Sequence, residues 1–236
     1  AEQLWIANRS GQRLNGDHTA DIHYTQDHQA LVDACDVVVL SVRPQDMTAI
    51  NISLHSQLLV SVMAGVTIEQ LVERTQATSV VRAMPNAAIE IGQSYTPWYS
   101  RYLSLAHQDI WLKMVNALGY SQVCETEHQL IALTALTGSG QGILTAIATS
   151  MIQASQVYAM PSEMMDQAMR YLFSGIGQLM QADSLSPPQR AQVCLDYAGT
   201  TAAAISGMRQ HGLQQVIQAG VDAAFEKANS NMASST

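Results

Sequence analysis

Asp36-Val37-Val38-Val39-Leu40-Ser41-Val42-Arg43-Pro44-Gln45 is an almost unbroken apolar, β-branched run closed by a proline. A strand with one face in water alternates apolar and polar residues. A continuous run belongs to a strand covered on both faces, as in a parallel sheet. Two more such runs follow, Leu58-Leu59-Val60-Ser61-Val62 and Ser79-Val80-Val81-Arg82-Ala83-Met84, the latter stopped by Pro85. Upstream, Leu4-Trp5-Ile6-Ala7 reads as a short strand that ends at the turn-like Asn8-Arg9-Ser10-Gly11. Helical stretches lie between them. Asp27 to Ala34 is one, and Thr67 is the N-cap of another, with Glu69 and Gln70 in its first turn. Strands separated by helices at this spacing predict a doubly wound α/β domain.

Strand signals thin out after about residue 100. His107 to Leu118 is amphipathic and ends at Gly119, and from Glu127 onward the chain reads as helix, punctuated by Pro161, Ser186-Pro187-Pro188, Gly199 and Gly212. The boundary is placed at residues 120–126, giving an α/β part over 1–123 and an all-α part over 124–236. The phosphate-binding fingerprint G-x-G-x-x-G, expected on the first strand–helix turn, does not occur in the sequence. The chain reads as starting just before the second strand. Either roughly 25 residues precede it, judged from the length of one βαβ unit, or the phosphate loop is lacking.

Composition narrows the function classes. The 236 residues are 47% hydrophobic and 13% charged, which argues against disorder and for surface hidden against a second copy. The formal net charge is −8 and no Lys/Arg block occurs, so nucleic acid and anionic membranes are not expected partners. Cys35, Cys124 and Cys194 form neither a disulfide framework nor a metal-binding spacing, which fits a reducing cytoplasm. The seven histidines have no ligand spacing either, so no metal is expected. No acidic or basic residue occurs between Glu127 and Glu163. A membrane-spanning helix needs about 20 mostly apolar residues. This run is broken by Thr137-Gly138-Ser139-Gly140-Gln141-Gly142 and carries Gln153, Ser155 and Gln156, so a helix pair buried in a protein interface is the expectation.

The strand ends carry the chemistry, since residues at the C-terminal ends of parallel strands line the crevice that binds a nucleotide. An NAD site places a carboxylate at the end of the second strand, whereas an NADP site needs a cation and hydroxyls for the 2′-phosphate. Asn8, Arg9 and Ser10 supply these, although the same residues also form an ordinary turn. Ser41, Val42, Arg43 and Pro44 end the next strand, with Arg43 near the phosphates or simply solvated. Ala64 and Gly65, in Met63-Ala64-Gly65-Val66-Thr67, allow a dinucleotide to approach the backbone, or make a tight strand–helix turn. Asn86, in Arg82-Ala83-Met84-Pro85-Asn86, brings a donor and an acceptor to the crevice mouth. In the helical half, Asp196-Tyr197-Ala198-Gly199-Thr200-Thr201-Ala202 opens a helix whose free N–H groups and dipole suit a carboxylate, beside a plain reading as Thr capping.

The order of these motifs, Asn-Arg-Ser, Val-Arg-Pro-Gln, Ala-Gly-Val-Thr, Met-Pro-Asn, Ala-Leu-Thr-Gly-Ser-Gly and Gly-Thr-Thr, resembles the pyrroline-5-carboxylate reductase family over about residues 4–228. The resemblance implies a Rossmann-type NADPH-binding domain, incomplete at its N-terminus, followed by an all-α dimerisation domain. It implies NADPH-dependent reduction of a cyclic imine, 1-pyrroline-5-carboxylate, to proline. It implies that Thr201 hydrogen-bonds near the ring nitrogen, that Gly199, Thr200 and Thr201 hold the substrate carboxylate, and that Asn86, Ser139 and Asp196 lie about the substrate. His28 stands where the family has a cofactor-contacting Asn.

The sequence also departs from the family pattern. Asp196-Tyr197-Ala198-Gly199 replaces Ser-Pro-Gly-Gly, and Gln141 replaces the proline of Gly-Ser-Gly-Pro. The Asp that commonly precedes the Ala-x-Thr-Ala-Leu run is replaced within Leu130-Ile131-Ala132. Two negative charges about 4 Å apart repel by about 4 kcal/mol at intermediate dielectric. An Asp196 turned into the site would therefore oppose an anionic imine, while one turned away or paired with Arg190 would not. These departures leave a second reading beside the enzyme: a catalytically impaired paralogue acting as a nucleotide-binding regulatory dimer.

Overall fold

The computed structural model describes residues 4–13 and 22–233. The chain forms two compact units, Ala1–Gly140 with Ala224–Thr236, and Gln141–Ala223.

The first unit is built on parallel strands. β1 (Leu4–Ala7) and β2 (Ile22–Thr25) pair in parallel as a two-stranded sheet. A second sheet has the order β3 (Val37–Leu40), β4 (Leu58–Ser61), β5 (Ser79–Ala83), β6 (Ser94–Arg101) and β7 (Gly119–Val123). All its pairings are parallel except that of β5 with β6. No described strand bridges β1 to β3, and Leu4 and Val39 are exposed.

The continuous apolar runs of β4 and β5 have the expected cause. Side chains alternate across a strand, and β4 and β5 are covered on both faces, while β3 buries only its Val38 and Leu40 face. Val38, Leu40, Leu59 and Val80 enter one core with Val32, Ile68 and Leu71. Leu58, Val60, Val81 and Ala83 enter another with Trp98, Trp111 and Val115.

Thr67 is a cap as the sequence places it, and Asp27, read from the sequence as the first residue of its helix, is a cap as well. Asp27 caps α1 (His28–Ala34), accepting from the Gln29 and Ala30 N–H groups. Thr67 caps α2 (Ile68–Thr75) in a reciprocal capping box. Its hydroxyl accepts from the Gln70 N–H at 3.2 Å, and its own N–H donates to the Gln70 side chain at 2.9 Å. α3 (Leu105–Asn116) buries Trp111 and Val115.

The sheet ends at Val123 and helix begins at α4 (Glu127–Leu133). The compact unit nevertheless extends past that point, because α4 packs on the sheet. Leu130 is fully buried against Met84 and Cys124. Glu127 accepts from the Arg82 guanidinium at 2.8 Å and from the Ile68 N–H at 3.0 Å, joining β5, α2 and α4. Burial pushes the Cys124 thiol up from its ordinary value, so it stays protonated and apolar in character.

The Thr137–Gly142 interruption is a widened π-helical turn over Thr134–Gly138 with a bend at Ser139, after which α5 (Gly140–Ser155) continues. Residues Glu127–Tyr158 remain a run long and apolar enough to cross a membrane. The second unit holds most of α5, then α6 (Ser162–Ala182), α7 (Pro187–Asp196), α8 (Thr200–Gln210) and the first half of α9 (Leu213–Ala233). These helices bury little. α5 has no buried residue, α6 only Met165 and α8 only Ala202, while Met164, Tyr171, Leu172, Ile176, Leu179 and Met180 of α6 are exposed.

Candidate functional site

The C-terminal ends of β1, β3, β4 and β5 carry the residues singled out for the cofactor. After β1, the Asn8 side chain accepts from the Ser10 N–H and hydroxyl, both at 3.1 Å, and donates to the Gln12 carbonyl at 2.8 Å. Asn8-Arg9-Ser10 is thus a turn built by its own side chain. The Gln26 amide holds the Arg9 carbonyl at 3.0 Å, which leaves the Arg9 guanidinium as the group the turn presents.

After β3, Ser41, Val42 and Arg43 are exposed and Pro44 opens a 3-10 turn, Pro44–Ala49. Sequence reasoning missed a residue here. Asp46 takes a bidentate contact from Arg43, Nε to Oδ2 at 2.8 Å and Nη2 to Oδ1 at 3.2 Å. The same Oδ1 accepts from Arg9 Nη2 at 3.1 Å. The hydrogen bond from Arg43 holds the Asp46 carboxyl below the usual carboxylate range. A pairing of Arg43 with Asp46 at i,i+3 was legible; the contact with Arg9, 37 residues away, was not.

After β4, Ala64 is exposed and Gly65 has φ +79°, so the turn takes the left-handed conformation that favours glycine. After β5, Asn86 caps a short 3-10 turn through Oδ1, which accepts from the Ala88 N–H at 3.0 Å. Its own N–H donates to Ser94 Oγ, part of a buried hydroxyl pair with Thr96. The Asn86 amide nitrogen has no hydrogen bond among the described residues and is its remaining donor. His28 is the half-buried first residue of α1.

The residues singled out for the substrate fall in both units. Asn86 and the exposed Ser139 belong to the first; Asp196, Gly199, Thr200 and Thr201 belong to the second. Gly199 caps α8 without a side-chain hydrogen bond. The first N–H groups of a helix have no intrahelical partner, so the Gly-Thr-Thr turn offers them with exposed Thr200 and Thr201 hydroxyls. Asp196 does not pair with Arg190, whose Nε instead holds Asp183 at 2.6 Å. The Asp196 carboxylate accepts from Gln192 Nε2 at 2.7 Å, one turn back along α7.

Residues 127–231 match the family model for pyrroline-5-carboxylate reductase dimerisation, and residues 1–65 match that for NADP oxidoreductase, coenzyme F420-dependent. The pyrroline-5-carboxylate reductase of Staphylococcus saprophyticus is 25% identical, over 97% of this chain and 87% of that protein. The chain is thus similar to pyrroline-5-carboxylate reductases along nearly its whole length. The Staphylococcus aureus reductase (strain COL) is 24% identical over the same shares of the two chains. The fold agrees with that of the family. A Plasmodium falciparum pyrroline carboxylate reductase with NADP bound superposes with a TM-score of 0.82, at 20% identity, over 98% of this chain and 88% of that one. The Streptococcus pyogenes 1-pyrroline-5-carboxylate reductase gives 0.78 at 22% identity, over 89% of this chain and 82% of that one. The matched dimerisation region contains every helix from α4 to α8, the part with the most exposed apolar surface.

Proposed function

We propose that the protein is a cytoplasmic, homodimeric reductase of proline biosynthesis that converts 1-pyrroline-5-carboxylate to proline with NADPH. The observation that carries this reading is the match of nearly the whole chain to reductases of that name. The residues present fit the cofactor. Arg9 and Arg43 put two cations at the crevice edge, and Ser10 adds a hydroxyl, where a 2′-phosphate needs them. Ala64 and the Ser41–Arg43 strand end are exposed, and Gly65, although buried, carries no side chain to block the nucleotide, with His28 and Asn86 at the margins. NADPH supplies the hydride for the imine carbon.

This chain's residues bind and orient. The N–H groups of the Gly199-Thr200-Thr201 turn hold the substrate carboxylate, helped by the α8 dipole. The Thr201 hydroxyl donates a hydrogen bond to the ring nitrogen, and it or a water supplies the proton that the nitrogen takes up as the carbon is reduced. Within the first unit, Ser139 on the bend after the π turn and the Asn86 amide are further polar groups proposed for the substrate. In functional terms we keep the division into a dinucleotide-binding part, 1–123, and a dimerisation and substrate part, 124–236. A regulatory dimer without turnover is not favoured, since the named relatives align over 97% of the chain.

The exposed apolar faces of α5 and α6 are assigned to a second copy of the chain rather than to a membrane or nucleic acid. Contiguous apolar patches above a few hundred Å² are rare on monomers. Sedimentation at micromolar concentration is expected to show a dimer or larger; a stable monomer contradicts the assignment.

Asp196 is the departure with most consequence for the substrate. Gln192 holds its carboxylate back along α7, yet the charge remains within one turn of the anion site. Asp196→Ser removes that charge and is expected to lower the Michaelis constant for pyrroline-5-carboxylate about tenfold, equivalent to about 1.4 kcal/mol. This lies below the bare Coulomb repulsion because water screens an exposed cleft. An unchanged constant would show that Gln192 already keeps the carboxylate out of the way, and would direct attention to Gln141 and Tyr197.

A further inference from the structure

We propose that Asp46 is a positioning residue for cofactor selection: it gathers Arg9 and Arg43 from two loops into one cation pair addressed to a single 2′-phosphate. The proposal rests on the cofactor reading above and goes beyond it by naming what places the cations.

Two guanidinium groups on neighbouring loops repel each other. The Arg9 and Arg43 side chains are 84% and 64% exposed, so little packing holds either in place. A carboxylate between them removes the repulsion and limits their rotamers before the cofactor arrives, reducing what binding must order. Asp46 is itself well placed to do this. Pro44 fixes the start of its turn, and the next residue after Asp46, Met47, is 5% exposed and belongs to the sheet core.

The two grips differ. Asp46 engages Arg43 with both oxygens but Arg9 with one, through a single Nη2. A guanidinium has five N–H donors, so Arg9 keeps most of its donors for the phosphate while Arg43 stays fixed. Asp46 makes no contact with the phosphate, whose charge it would repel, and acts through the arginines. NADH lacks the 2′-phosphate and so draws no benefit from the pair.

The test is calorimetric titration of NADPH and NADH into the wild-type protein and the variants Asp46→Asn and Asp46→Glu. Asp46→Asn keeps the size of the side chain and removes its charge. It is expected to raise the dissociation constant for NADPH about tenfold while leaving that for NADH within about twofold, with Asp46→Glu recovering part of the loss. NADH binding serves as the control for folding. Unchanged or tighter NADPH binding in Asp46→Asn would overturn the proposal, because the carboxylate would then be idle or a competitor for Arg9. A parallel loss for both cofactors would also overturn it, as a merely structural effect. A wild-type protein that binds NADPH no tighter than NADH would overturn the cofactor reading itself, and the proposal with it.

Discussion

Arg82→Ala is expected to lower the unfolding free energy by about 3–5 kcal/mol, the cost of removing one partner from a buried ion pair. Arg82 lies in β5 between β4 and β6 and is 1% exposed. Its Nη1 holds Glu127 Oε1 at 2.8 Å, and that same oxygen accepts from the Ile68 N–H. Without the guanidinium, a largely buried carboxylate keeps one neutral donor and faces a cavity. The pair is not optimal even when intact, since Arg82 Nε is buried with no hydrogen-bond partner among the described residues. Exchanging both residues, as Arg82→Met with Glu127→Leu, is therefore expected to cost far less than the single change. Glu69→Gln, which disturbs the half-exposed pair with Arg101, should cost no more than about 1 kcal/mol. Urea unfolding of the four proteins checks the order. A single-site Arg82→Ala loss below about 1 kcal/mol would mean that the pair does not hold β5, α2 and α4 together.

The second large effect concerns the cofactor. The wild-type protein is expected to bind NADPH more tightly than NADH, and Arg9→Ala to weaken NADPH binding by about 10- to 100-fold. A hydrogen bond to a charged group contributes about 1.5–3 kcal/mol, and each 1.4 kcal/mol is tenfold. NADH binding should stay nearly constant, because NADH carries no 2′-phosphate for Arg9 to hold. The Asn8 side chain, rather than Arg9, closes the turn through Ser10 and Gln12, so the alanine does not unmake the loop. Fluorescence titration of both cofactors provides the readout. Equal weakening for the two, or none for NADPH, would remove Arg9 from the 2′-phosphate site.

What the sequence made legible, and what it did not, follows from how local each signal is. Val37–Leu40, Leu58–Ser61 and Ser79–Ala83 could be read as strands because the whole signal lies in their own side chains; the last two are covered on both faces as expected, whereas β3 leaves Val39 exposed. The Thr67 cap was equally local. β6 was hidden. Ser94-Tyr95-Thr96-Pro97-Trp98 mixes hydroxyls, aromatics and a proline that cannot donate to a ladder, yet it pairs on both sides. The buried Ser94 and Thr96 hydroxyls bond each other, and Ser94 also accepts from the Asn86 N–H, a satisfaction no single residue announces. β7 depends on Gly119, where a Cβ would stand 2.4 Å from the Ser94 carbonyl oxygen, so its signal lies in a partner 25 residues away.

The candidate site divides in the same way. Strand-end residues were legible because a parallel sheet directs all such ends to one edge. Asp46 was not, since its meaning is the meeting of two loops. The partner of Asp196 was not either: Gln192 and Arg190 were both within reach, and Arg190 was already committed to Asp183.

The most direct test of the account is the oxidation of NADPH by the purified protein in the presence of pyrroline-5-carboxylate, followed by the absorbance of the reduced nicotinamide and by chromatographic assay of proline. The account predicts that NADPH consumed and proline formed agree one to one, and that Thr201→Val lowers kcat/KM by about 10²-fold or more, within the usual range for a positioned proton donor. Tight NADPH binding with no proline formed by the wild-type protein would contradict it and restore the reading of a nucleotide-binding dimer without turnover.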